Sequence, residues 1–228
     1  MHLKKSDGPG SMVMVIATSN DGKKAEIRDL LQGFSVQIKN LNDFGPLPPI
    51  VENGETFEEN AYLKSSLTAR FLGLPALADD SGLVVDALGG APGVHSARYA
   101  GDGATDRERC DKLLREMSGR TERRAVFECV ISIAVPTGEA LTYEASCEGL
   151  IAKLPSGGNG FGYDPVFFSP PLGKTFAELT AAEKNRVSHR GKAFREIRRD
   201  FDNILSWIRR HMPAQDSFNC QNMEEQRP

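Results

Sequence analysis

The chain has 228 residues, 26% charged and 39% apolar, with 28 Lys and Arg against 31 Asp and Glu for a formal net charge of -3. That length buries one sizeable core, as one domain or two small lobes, and the composition is that of an ordinary folded protein. Duplex nucleic acid is set aside as the main partner, because affinity for a phosphate backbone rests on an excess of Lys and Arg that this chain lacks as a whole.

Residues 1 to 11, ending Gly8-Pro9-Gly10-Ser11, have the composition of a disordered tail, and Met212 to Pro228 is polar, aperiodic and predicted to be mobile as well. The apolar run Met12 to Ala17 is too short for a membrane span and follows no signal-peptide pattern, so the expectation is a cytoplasmic protein without a membrane anchor. The run reads as a buried strand, after which Ile27, Leu30, Leu31 and Phe34 recur at helical spacing. Phe34 to Lys39 reads as a second strand, followed by a Pro-rich loop that ends at Glu52. Thr56 and Glu59 have capping-box spacing for a helix that stops at Gly73, with an apolar stripe of Leu63, Leu67 and Phe71. Thr105 and Glu108 repeat the cap before Cys110, Leu113, Leu114 and Met117. Two strand-like segments, Arg124 to Pro136 and Ala140 to Ala152, flank a turn at Thr137-Gly138-Glu139, and the second alternates apolar and polar residues. One final helix is predicted from Gly191 to His211. Cys110, Cys129, Cys147 and Cys220 form no CxxC pair, and the first three lie in apolar-periodic segments, as buried reduced thiols do. The class is mixed α/β.

Five places carry chemistry. Ala78-Asp79-Asp80-Ser81-Gly82 sets two carboxylates side by side. At about 5 Å and an effective dielectric of roughly 20, their repulsion is on the order of 3 kcal/mol, which a divalent cation removes. The alternative is a chain-reversing turn, since Asp, Ser and Gly are turn formers. Thr18-Ser19-Asn20-Asp21-Gly22-Lys23 joins the first strand to the first helix and offers backbone N–H groups and a cation to an anion, or simply caps the helix. It is not a Walker A loop. Asn60 and Lys64 share a helix face, with Lys64 either reaching phosphate or snorkelling. Ser156 to Pro165 packs four glycines around Phe161 and Tyr163, which suits an aromatic held against a base, or a tight linker with core rings. Ser188-His189-Arg190-Gly191 offers donors to a purine keto oxygen, or a structural helix start.

In this order, Thr18 to Lys23, Thr56 to Ala61, Ala78 to Leu83, Gly89-Gly90-Ala91-Pro92-Gly93, Ser96 to Tyr99, Phe161 to Pro165 and Ser188 to Gly191 resemble the inosine triphosphate pyrophosphatase family, over roughly residues 13 to 210. The resemblance implies an elongated mixed sheet with flanking helices, two lobes around a central cleft within residues 12 to 211, and a homodimer. It implies Mg²⁺-dependent hydrolysis of ITP, dITP and XTP to the monophosphate and pyrophosphate, an activity that cleanses the nucleotide pool. By position, Asp80 is then the general base and a metal ligand, Asp79 its acidic neighbour and Glu52 a further metal ligand. Thr18, Ser19, Asn20, Asp21, Gly22 and Lys23 hold the triphosphate together with Lys64, with Asn60 and Ser81 alongside. Phe161, Gly162, Tyr163, Asp164, Lys184, His189 and Arg190 enclose the base. Ser19 stands where the family often has Gly. Three rivals are weaker. Maf-like pyrophosphatases carry an Arg-containing loop after the first strand that is missing here, a nucleotide sensor without turnover gains nothing from the acidic pair, and RNA binding is opposed by the acidic balance.

Overall fold

The computed structural model describes residues 12–213. A seven-stranded sheet runs through them. Its first part is parallel, with β1 (Met12–Ile16) between β2 (Val36–Asn40) and β3 (Ala76–Val85). From β3 onward the pairing is antiparallel, through β4 (Arg124–Ala134), β5 (Ala140–Ile151), β6 (Phe167–Ser169) and β7 (Lys174–Thr175), giving the order β2-β1-β3-β4-β5-β6-β7. The connections explain the split. Parallel neighbours need long crossovers, supplied by α1 (Asp21–Leu30) and α2 (Phe57–Leu72), whereas β4 and β5 are joined by a tight hairpin. That hairpin turns where the sequence predicts, with Gly138 at φ 106° and its N–H donating to Val135 O at 3.0 Å.

Most helix boundaries follow local signals. Asn20 caps α1, accepting from Lys23 N at 2.9 Å. Thr105 and Glu108 form a full capping box on α3 (Asp106–Glu116), as Thr180 and Glu183 do on α4 (Ala181–Val187). At α2 only half of the predicted box forms: Thr56 accepts from Glu59 N, but Glu59 Oε2 takes the Glu55 N–H at 2.6 Å instead of the cap's own. Gly73 ends α2 at φ 66°, in the left-handed region that favours glycine. The predicted single last helix is two, α5 (His189–Arg199) and α6 (Phe201–His211), broken at Asp200. No glycine or proline marks the break. Asp200 Oδ2 instead accepts from Tyr143 Oη at 2.8 Å, and Phe201 packs edge-on against Phe34 with ring centres 4.1 Å apart.

The turn offered as the alternative for the acidic pair is excluded by β3. Asp79 and Asp80 do not sit in a turn; β3 runs unbroken through them. Successive residues of a strand face opposite sides. On one side Leu77 joins a cluster with Ile16, Ile27, Ile131, Phe194 and Ile204, while Leu83 and Val85 join a second with Leu113, Phe127, Phe167 and Phe176. Asp79 and Ser81 fall between the two, so one sheet face carries two apolar cores with a polar gap at β3. The other face of β3, with Asp80, packs under α2. That helix buries the small residues Ala61, Ser65, Ser66 and Ala69 against the sheet, and Ser65 Oγ lies 2.7 Å from Ser132 Oγ of β4. The predicted stripe is therefore not the buried face of α2: Leu67 and Phe71 are exposed and line the central cleft.

Cys110, Cys129 and Cys147 are buried free thiols, as expected, while Cys220 lies outside the described residues. Met212, read from sequence as the start of a tail, packs on the first cluster, and the rest of that segment from residue 214 lies outside the described residues. Residues 1–11 and 214–228 lie outside the described part. No helix among the described residues is long and apolar enough to cross a membrane.

Candidate active site

A cleft of about 1330 Å³ opens between the α1 N-terminus, α2 with the Pro-rich segment before it, and the glycine-rich loop 156–165. This exceeds the roughly 300–1,000 Å³ usual for small-ligand sites. Of the residues singled out from sequence, Thr18, Ser19, Asn20 and Lys23 line its first wall; Glu52, Asn60, Lys64, Asp80 and Ser81 line the second; Phe161 to Asp164, Lys184, His189 and Arg190 line the third. Asp79, Asp21 and Gly22 do not line it.

Asp80 is the carboxylate that faces the cleft. Lys64 Nζ lies 2.5 Å from Asp80 Oδ1 and 2.9 Å from Glu52 Oε2, so one ammonium bridges both acids. Burial pushes the Asp80 carboxyl above its ordinary pKa against the pull of Lys64 and Lys23. Lys64 itself is held above its ordinary value, because Asp80 and Glu52 outweigh its burial. It is therefore no snorkelling surface side chain. The Asn60 amide exchanges two hydrogen bonds with the Gly54 backbone and ties the segment carrying Glu52 to α2.

Asp79 points the other way and is fully buried. Its carboxylate is met by Arg190 Nε at 2.9 Å and Nη2 at 3.1 Å, by Lys23 Nζ at 2.6 Å, by Ser81 Oγ at 2.5 Å and by Cys129 Sγ at 3.1 Å. Burial opposes the charge, yet Arg190 and Lys23 hold the carboxyl well below its ordinary value. The expectation that a shared cation relieves repulsion between the two acids is thus overturned for Asp79, whose charge is neutralised by protein. A buried pair of this kind is strongly destabilising to break.

Arg190 is committed as well. Nε and Nη2 go to Asp79, Nη2 also donates to Ser81 Oγ at 2.9 Å, and Nη1 bonds Glu26. The free guanidinium fork expected for a purine is therefore engaged, with at most one Nη1 proton left over. His189 is buried and stacks on Phe127 at 4.7 Å. Its Nδ1 has no partner among the described residues, and burial with the neighbouring Arg190 charge holds its pKa well below the usual value, so the ring is neutral at pH 7. Lys184 Nζ reaches Glu26 Oε1 at 2.7 Å and Asp164 Oδ2 at 2.5 Å and lies 4.8 Å from the centre of the Phe161 ring. The loop is built rather than slack: Phe161 N–H donates to Asp164 Oδ2 at 3.0 Å and Tyr163 Oη to Ser96 O at 2.9 Å. Gly22 lies behind the Phe161 ring, where a Cβ would meet Phe161 Cδ1 at 2.6 Å. Asp21 is solvent-exposed and pairs with Lys24.

Sequence reasoning missed Glu26, which joins Lys184 and Arg190. Its signal was a charged side chain three residues after Lys23, on the same helix face.

The fold and the cleft define a mixed α/β protein with a helix N-terminus, cations and acids converging on one opening. The chain belongs to the Ham1 family, whose pattern it matches over residues 14–200. It is 61% identical over 196 residues to the dITP/XTP pyrophosphatase of Syntrophobacter fumaroxidans, covering 86% of this chain and 84% of that protein. The corresponding enzyme of Desulfotalea psychrophila is 53% identical over 200 residues, covering 88% and 90%. Among solved structures, the Ham1 protein of Coxiella burnetii superposes with a TM-score of 0.77 at 42% identity, over 86% of this chain and 99% of that one. The Staphylococcus aureus Ham1 protein gives 0.76 at 40% identity, over 84% and 99%.

Proposed function

We propose that this chain hydrolyses the non-standard purine nucleotides ITP, dITP and XTP to the monophosphate and pyrophosphate, with Asp80 as general base. The observation that carries the reading is Asp80 itself: a cleft-lining carboxylate with a raised pKa, beside Lys64, across the opening from the Phe161–Asp164 loop. A base whose pKa is raised takes up a proton more readily from an attacking water. Lys23, Lys64 and the N-terminus of α1 supply positive charge for the triphosphate. Phe161 offers a face to the purine.

The acids fit a hard divalent cation. Asp80 and Glu52 already converge on one positive centre, the Lys64 ammonium, and both present only oxygen. Mg²⁺ commonly takes one or two carboxylates and draws its other ligands from water and phosphate. Asp80 and Glu52 are thus the residues that would hold Mg²⁺, and the ion when bound would neutralise phosphate charge in the transition state.

Base choice falls to His189. With the Arg190 fork engaged by Asp79, Glu26 and Ser81, the adjacent His189 ring, which lines the cleft, is the remaining group of that pair. A ring N–H of His189 turned to the opening would favour a 6-keto purine over a 6-amino one. A good base contact discriminates by about 1–3 kcal/mol. We infer a homodimer from the resemblance to the inosine triphosphate pyrophosphatase family; sedimentation of the purified chain tests it. The activity is tested by a panel of ITP, dITP, XTP, ATP and GTP with Mg²⁺, reading pyrophosphate and orthophosphate separately. Rapid pyrophosphate release from the first three alone is expected. Orthophosphate release, or equal turnover of all five, overturns the proposal.

A further inference from the structure

We propose that Asp106, in the first turn of α3, is a positioning residue for base binding that acts on Phe161 through the peptide of Gly162. This rests on the reading above that the Phe161 ring faces the purine. Asp106 Oδ2 accepts the Gly162 N–H at 2.7 Å. One turn further along the same helix face, Cys110 Sγ donates to the Gly162 carbonyl at 3.4 Å. Both backbone groups of Gly162, the N–H of its peptide with Phe161 and the carbonyl of its peptide with Tyr163, are therefore held from α3. Gly162 has φ 64°, a conformation with a small intrinsic preference, so the grip is what selects it.

Asp106 has no competing duty at the helix end. An acid in a first turn ordinarily serves the cap or the helix dipole, but here Thr105 and Glu108 close a complete capping box without it. Its other oxygen bonds Arg109, whose Nη1 donates to Ala97 O at 2.9 Å and Ala104 O at 2.6 Å. The carboxylate is thereby anchored to the segment that follows β3. The ring that Gly162 carries forward is confined on its other side by Gly22 and by Lys184. Phe161 thus sits between the α1 N-terminus and α3, and Asp106 fixes the second of these supports.

The test is a double-mutant cycle on dITP hydrolysis with Mg²⁺, comparing the unaltered protein, Asp106→Ala, Phe161→Ala and the double variant, with KM and kcat determined separately. Stacking of a base on an aromatic ring accounts for roughly five- to hundredfold in affinity, so Asp106→Ala is expected to raise KM about fivefold to tenfold with kcat within about twofold. Added to Phe161→Ala, it should change KM by less than about twofold, because the ring it positions is gone. Independent multiplication of the two effects overturns the proposal, as does an unchanged KM or a loss confined to kcat in Asp106→Ala. A Phe161→Ala variant with unaltered KM sinks the stacking reading instead. Should Asp106→Ala fail to fold, Cys110→Ala releases the Gly162 carbonyl, the other backbone anchor of that residue, and must show the same dependence on Phe161; an additive effect there overturns the proposal equally.

Discussion

Asp79 and Asp80 are neighbours in β3 whose side chains serve opposite faces of the sheet: Asp79 is locked to Arg190 and Lys23, while Asp80 meets Lys64 at the cleft. Their environments push their pKa values apart, Asp79 down and Asp80 up. Divergence of this kind separates a structural anion from a working base. Asp80→Asn is therefore expected to fold normally and to lose about 10²- to 10⁴-fold in kcat. Pyrophosphate release from dITP by the purified variant measures it, and near-normal turnover would move the base elsewhere.

Asp79→Asn should act on stability instead. Removing one partner of a buried pair is expected to cost about 3–5 kcal/mol near neutral pH. The sign with pH follows from linkage: the folded-state pKa of Asp79 lies below the unfolded value, so its contribution is complete above the model-peptide value of 3.8 and disappears as pH falls from there through the folded-state pKa. Denaturant unfolding of both proteins should show a large gap at pH 7 that narrows below pH 3.8. A gap that stays constant with pH would assign the stability to packing rather than to the charge.

Lys64 lowers the pKa of Asp80 against the effect of burial. Replacing Lys64 by Met removes that opposition, so the acid limb of the kcat/KM profile should move to higher pH, with weaker substrate affinity besides. A profile whose acid limb stays in place would show that a group other than Asp80 governs it.

Glu52→Gln keeps the shape of the side chain and removes its charge. The Mg²⁺ concentration giving half-maximal activity is expected to rise about tenfold to a hundredfold, since loss of a group that supports a metal site has effects of that order. Titration of activity with MgCl₂ after chelator treatment checks this; an unchanged midpoint would remove Glu52 from the metal site.

Gly22→Ala places a methyl group 2.6 Å from the Phe161 ring in the present geometry. The ring must move, so KM for dITP should rise severalfold while thermal stability changes little. Steady-state kinetics beside a melting curve separate the two.

Local chemistry made much of this architecture legible. The boxes at Thr105 and Thr180, the Gly138 hairpin and the Gly73 stop are each written in a few adjacent residues and appear in the fold. The break at Asp200 was hidden because contacts with Tyr143 and Phe34 cause it, and neither lies near it in sequence. Most of the residues singled out from sequence line the cleft, but how they pair was not legible. Arg190 and Glu26 are 164 positions apart, and no periodicity links them. The adjacent acids suggested a common cation, although the alternation of a strand sends such neighbours apart.

That alternation leaves β3 no room for a frame slip. Inserting one residue between Ala76 and Asp79 would turn the sealed anion toward the opening and drive the reactive one into the gap between the two cores, while leaving the composition of the strand almost unchanged. Conservative side-chain changes elsewhere in β3 should be survivable; a change in its count should not.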